Sequence, residues 1–166
     1  MLPAHLPLYL TEFGIQSRPD RIQGVSFARQ AAYLAIAEHM AYVNPRVATF
    51  SQYLMSDDPP RSSGYRYAGF ESGLISSTGK EKPAFKGFRL PLAVERYGSS
   101  DVLWGLVRPQ RGSTRVTIEY KTSAGKWRTL KTLTTTASGV YALKTNRKRG
   151  YRVRWGQFLG ATVRSY

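Results

Sequence analysis

The 166-residue chain contains no cysteine. That excludes disulfides, thiol nucleophiles and thiolate metal sites, and leaves the compartment open. Histidine is nearly missing: His5 and His39 are the only two. A histidine-built metal centre or a serine–histidine relay therefore has few candidates. No apolar run approaches the roughly 18–20 residues of a membrane-crossing helix, so no membrane span is expected. The opening "MLPAHLPLYL" has no basic region and runs straight into an apolar stretch, which makes it a poor signal peptide. Acids are the other scarce class, 10 Asp and Glu against 25 Lys and Arg, for a net charge of +15. The scarcity is local. Residues 1–97 hold 11 Lys/Arg and 8 Asp/Glu, a net +3, whereas residues 98–166 hold 14 and 2, a net +12. Such asymmetry implies different partners for the two halves.

What is present suffices for a buried core. The chain is 42% hydrophobic and 13% aromatic, outside the composition of disordered segments. "LPLYLTEFG" (6–14) reads as a strand that delivers Glu12 at its C-terminal end. "VSFARQAAYLAIAEHMAYV" (25–43) has helical apolar spacing and no Pro or Gly, with Ser26 placed as N-cap. Asn44-Pro45 ends it, because a residue before proline avoids the helical region. "RVATFSQYLMSDD" (46–58) reads as a second strand, also closing in acids. A hairpin turning at Thr78–Gly79 and a short helix from about Pro83 follow. Strand, helix, strand, helix is the order of parallel sheets and (β/α) barrels. In a (β/α)₈ barrel the C-terminal strand ends form the catalytic face.

From about residue 98 the period changes to two. "DVLWGLVRP", "STRVTIEYKT", "KWRTLKTLTTT", "GVYALKT", "GYRVRWG" and "ATVRSY" alternate apolar with polar residues. Gly112, Gly125, Gly139, Gly150 and Gly156 punctuate them as turns. Six or so short strands at this spacing predict a small antiparallel β-sandwich, immunoglobulin-like or fibronectin-like. The expected boundary lies near "ERYGSS" (95–100), dividing the chain into 1–97 and 98–166.

"LPLYLTEFG", the helix, "VATFSQYLMSDD", "FESGLISSTGKEKPAF" and "FRLPL" together resemble the last two βα units of a retaining glycoside hydrolase of the cellulase-like (β/α)₈ clan. The resemblance covers roughly residues 6–92. It implies a fold class of α/β followed by all-β: a partial barrel carrying strands seven and eight, plus the sandwich. It also implies that Glu12 is the nucleophile, an ionised carboxylate that attacks the anomeric carbon. A partner carboxylic acid would stand about 5–5.5 Å away. Gln52 falls where many relatives carry tryptophan, with Tyr53 or Tyr9 as alternative aromatic faces. Asp57 and Asp58 are candidates to bind sugar hydroxyls, the alternative being that they only start the following loop and cap a turn.

The resemblance also marks what is missing. Its acid/base glutamate belongs at the end of strand four, and only 11 residues precede Glu12. Glu38, Glu71 and Glu81 do not match that position. The expectation is a C-terminal piece of a glycosidase acting on a polysaccharide or oligosaccharide, with little or no activity alone. No metal or other cofactor is implied. An extracellular location follows from the resemblance only, and the incomplete barrel is expected to oligomerise or to pack against the sandwich.

The second half resembles accessory β-sandwiches of secreted carbohydrate-active proteins. Trp104, Trp127 and Trp155 are either sugar-stacking platforms or core residues. "KTNRKRGYRVRW" concentrates six cations in 12 residues. Strand alternation places many of them on solvated faces, where an anionic cell-wall polymer is a possible partner and specific nucleic-acid recognition is not expected. The competing function is thus a non-catalytic carbohydrate- or polyanion-binding module, with Arg147–Arg149 as its test positions.

Overall fold

Helix α1 (Phe27–Val43) is the pivot of the structure, a computed structural model that describes residues 6–109, 112–146 and 148–164. Ser26 caps α1, its hydroxyl accepting from the Arg29 N–H at 3.3 Å. The helix is rich in alanine, and Ala31, Ala32, Ala35 and Ala41 are buried. Small side chains let neighbours approach the helix axis closely. One side of α1 packs on the second helix, α2 (Pro83–Arg89), around Ala31, Leu34, Leu74 and Ala84. Another packs through Ala35 onto Ala93, Trp104 and Val140.

Those last three residues belong to a β-sandwich. One sheet has the order β3-β4-β7, from β3 (Leu92–Tyr97), β4 (Ser100–Leu106) and β7 (Val140–Asn146). The other has the order β6-β5-β8-β9, from β5 (Arg115–Lys121), β6 (Trp127–Thr134), β8 (Tyr151–Trp155) and β9 (Phe158–Leu159). All pairings are antiparallel. Leu92, Val94 and Leu103 of the first sheet meet Val116, Ile118, Tyr151 and Val153 of the second in one core. This is the physical content of the period-two pattern: alternate side chains point inward. Gly112, Gly125, Gly139 and Gly156 sit at φ of 77°, 78°, 81° and 53°, the conformation that turn glycines supply.

The first half corrects the expected fold class. Among the described residues the chain is mostly strand, with two helices and three sheets, and the last two βα units of a barrel are not what it forms. β1 (Leu8–Phe13) and β2 (Val47–Gln52) make a two-stranded parallel sheet by themselves. Between β2 and α2, residues 53–82 form isolated bridges only, among them Ile75–Glu81 around the expected turn at Thr78–Gly79, and α2 then packs on α1. Nor is β1 the buried strand its apolar run suggested, since Tyr9 is 61% and Leu10 37% exposed. The physical reason is that the buried flank of α1 is occupied by α2 and by the sandwich.

Two element bounds also differ from the sequence pattern. β2 stops at Gln52 rather than running to Asp58. Leu92–Tyr97 is a full sandwich strand, in register with β4 from Leu92–Gly105 to Tyr97–Ser100. No helix among the described residues is long and apolar enough to cross a membrane.

Candidate functional site

Because β1 and β2 are parallel neighbours, their C-terminal ends fall on one rim. Phe13 lies opposite Gln52, and the Tyr53 N–H donates to the Phe13 carbonyl at 2.8 Å. Glu12 is exposed at this rim. Gly14, next along, is required by a close approach: a Cβ there would lie 2.1 Å from the Tyr53 carbonyl oxygen and 2.7 Å from the Ser72 Cβ. "TEFG" thus carries an acid on a strand end and a glycine that lets the following loops close on it.

Gln52 and Tyr53 reach the same rim, but their polar groups serve the loop. The Gln52 Nε2 donates to the Ser72 carbonyl at 2.9 Å and to the Leu54 carbonyl at 3.2 Å. The Tyr53 carbonyl accepts from the Ser72 hydroxyl at 2.6 Å, and the Tyr53 ring stands edge-on to Phe70 with centroids 5.3 Å apart. The Tyr53–Leu54 peptide is cis. Asp58 accepts the Phe70 N–H at 2.8 Å.

Asp57 lies deeper, in a cluster that the sequence did not reveal. Its Oδ1 receives the Lys82 ammonium at 2.5 Å and the Gly73 N–H at 2.9 Å. Lys82 Nζ also donates to the Ser17 hydroxyl at 2.9 Å and the Glu71 carbonyl at 3.0 Å. Both charged side chains are almost wholly buried. The Glu71 carboxyl is pushed up to about 7, first by burial and then by hydrogen bonding and repulsion from Asp57, against the pull of Lys82. Buried charges persist only when paired and hydrogen-bonded in this way. The cluster ties residues 17, 57, 71 and 73 to the start of α2, and so fixes the loops beneath the rim.

Three further carboxylates of the first half, Glu38, Glu95 and Asp20, are also engaged, while Glu81 is exposed ahead of α2. Glu38 pairs with Arg108, whose guanidinium burial pulls down to about 10. Glu95 meets His39 Nδ1 at 2.6 Å. Asp20 accepts from the Ile22 N–H and the Tyr65 hydroxyl; these bonds outweigh burial and hold its carboxyl below the usual range. No group of three or more His, Cys, Asp or Glu among the described residues is placed to hold a metal ion.

The tryptophans take separate roles. Trp104 is 4% exposed and stacks against His39 at 4.7 Å, between α1 and β4. Trp155 donates its indole N–H to Thr114 Oγ1 at 3.0 Å and stacks on Phe158. Trp127 is covered by the Arg152 guanidinium, 4.3 Å from the ring centroid. The basic segment contributes Lys148 and Arg149 to an open cleft of about 680 Å³. His5 and Arg147 lie outside the described residues.

In comparisons with known proteins, no family pattern and no curated protein matches the chain. A solved structure that resembles it is the Bacteroides uniformis beta-glucuronidase, at 13% identity and a TM-score of 0.38. That match covers 95% of this chain and 21% of the enzyme. The likeness is coarse.

Proposed function

We propose that this chain is the nucleophile-bearing part of a retaining glycoside hydrolase, with Glu12 as the nucleophile, and that it hydrolyses nothing by itself. The observation that supports the reading is the shared rim: β1, which carries an exposed Glu12 near its end, pairs in parallel with β2, which ends at Gln52. The motif resemblance of residues 6–92 supports it. Retaining chemistry needs two carboxyl groups about 5–5.5 Å apart, one to attack the anomeric carbon and one to protonate the departing oxygen. Asp57, Glu71, Glu38, Glu95 and Asp20 are each held by other partners, and Asp58 is engaged by a backbone N–H. Glu81 remains, exposed ahead of α2, and does not match the acid's position in the motif.

The purified chain should therefore show no aryl-glycoside hydrolysis above a buffer blank. In a longer chain that supplies the acid, Glu12→Gln should lower turnover by orders of magnitude, because the attacking carboxylate is gone. Glu12-dependent hydrolysis by the 166-residue chain would refute the silence. Undiminished turnover in the longer Glu12→Gln variant would remove Glu12 as nucleophile.

A further inference from the structure

We propose that the open cleft at one end of the sandwich is a binding site for an acidic polysaccharide, recognised through its carboxylate or sulfate groups. The cleft gathers Arg96 at the end of β3, Lys121 at the end of β5, Lys148 and Arg149 before β8, and Arg164 after β9. Among the described residues no carboxylate lines it. None of the five cations makes an ion pair among the described residues.

The lack of internal counterions has a specific origin. Residues 98–166 contain only two acids, Asp101 and Glu119. Glu119 is taken by Arg152 at 2.5 Å and Arg154 at 3.2 Å. Asp101 is fully buried and accepts from the Tyr151 hydroxyl at 2.6 Å. Glu119 is thus spent on β8, and Asp101 is buried behind the cleft, where it also accepts the Lys148 N–H at 3.4 Å; neither lines the cleft, which leaves its cations open to an external anion.

The frame of the cleft is held rigidly by backbone. The Lys121 N–H donates to the Gly150 carbonyl at 2.9 Å, and Tyr151 and Val163 exchange two bonds, of 2.8 and 2.9 Å. The turn after Lys121 closes through Thr122 N–H to the Lys126 carbonyl at 2.8 Å. The Arg149 guanidinium is anchored on the Ser123 carbonyl at 3.3 Å, leaving its other N–H groups available. Preorganised cations lose less freedom when they bind. Hydroxyls of Thr122 and Ser123 on the same wall suit a hydroxyl-rich polymer.

An acidic glycan fits better than nucleic acid because the cleft offers one aromatic ring, and that ring already carries a cation. Lys148 Nζ lies 5.2 Å from the centroid of the Tyr120 ring, the aromatic that lines the cleft. Base-stacking platforms require open rings. The choice of a glycan rests on the carbohydrate-related reading above, while the charge argument does not use Glu12.

Binding of polygalacturonate and dextran sulfate to the full chain tests the proposal, with neutral dextran and a short DNA duplex as comparisons. Both acidic polymers should bind, more weakly as salt rises, and neutral dextran should not. Arg149→Glu with Arg164→Glu should weaken binding by about tenfold or more, since like charge replaces attraction. Arg128→Glu with Lys131→Glu, equal in charge change but exposed on β6, should leave affinity nearly intact. Equal losses in the two double variants would reduce the effect to net charge and overturn the site. So would failure to bind either acidic polymer at low salt, or tighter binding of the duplex under the same conditions. Failure here leaves the Glu12 prediction standing, because that readout is turnover.

Discussion

At the residue scale the decisive group is Glu71. It is buried beside Asp57 and Lys82, and its carboxyl titrates at about 7 instead of near 4.5. The folded chain therefore holds a proton that the unfolded chain releases between about pH 4.5 and 7. Stability from a neutral Glu71 is fully present below the unfolded value and is lost as pH rises through the folded one. Glu71→Gln imitates the neutral form at every pH. The melting temperature of the variant, relative to the parent, should climb from about pH 5 to about pH 8. A difference that stays flat across that range would show that Glu71 does not titrate there. The sequence hid this cluster for a physical reason: Lys82 meets Asp57 and Ser17 across 25 and 65 residues, and only the closed loops bring them together. The place of Glu12 near the end of β1 was legible because a carboxylate closing an apolar strand is a local pattern.

At the element scale α1 does the organising. Ala35 is 3% exposed against Ala93, Trp104 and Val140, so the helix sits on β3 and β4 with no room for a larger side chain. Ala35→Leu should cost about 1–3 kcal/mol in denaturant unfolding, because overpacking forces the helix off the sheet. Met40→Leu, at a 64% exposed position of the same helix, should change stability by less than about 0.5 kcal/mol. Equal effects would mean that α1 is not seated on the sandwich. The elements read best from sequence were those with local signals: α1 with its serine cap, α2 with proline at its start, and the sandwich strands between turn glycines. Two signals misled. "LYLTEF" is apolar enough for a buried strand, yet burial depends on what covers it, and the covering surface of α1 is turned elsewhere. "LAVERY" falls before the boundary because its three apolar residues followed by three polar or aromatic ones do not alternate, yet it pairs with β4 along its length. The barrel expectation failed through the first of these, and the β3 bound through the second.

At the scale of the whole molecule two forces oppose each other. Parallel sheets are ordinarily covered on both faces, and the β1–β2 pair is not. Tyr9 and Leu10 are successive residues of one strand, so they point to opposite faces, and both are exposed. Tyr42 and Val43 at the end of α1 add to the apolar surface, at 55% and 61% exposure. Such a surface favours self-association, as do open strand edges. Against this stands a net charge of +15, which makes two copies repel each other over a Debye length. Raising salt shortens that length and leaves the apolar attraction in place. Sedimentation velocity should accordingly show the chain moving from monomer toward larger species as sodium chloride rises. Tyr9→Thr with Leu10→Thr should suppress that shift while retaining strand propensity. The salt response also separates the two surfaces, because acidic polymers should leave the basic cleft under the same conditions that promote association. A chain that stays monomeric at high salt, or a double variant that associates as the parent does, would show that the β1–β2 surface is not sticky.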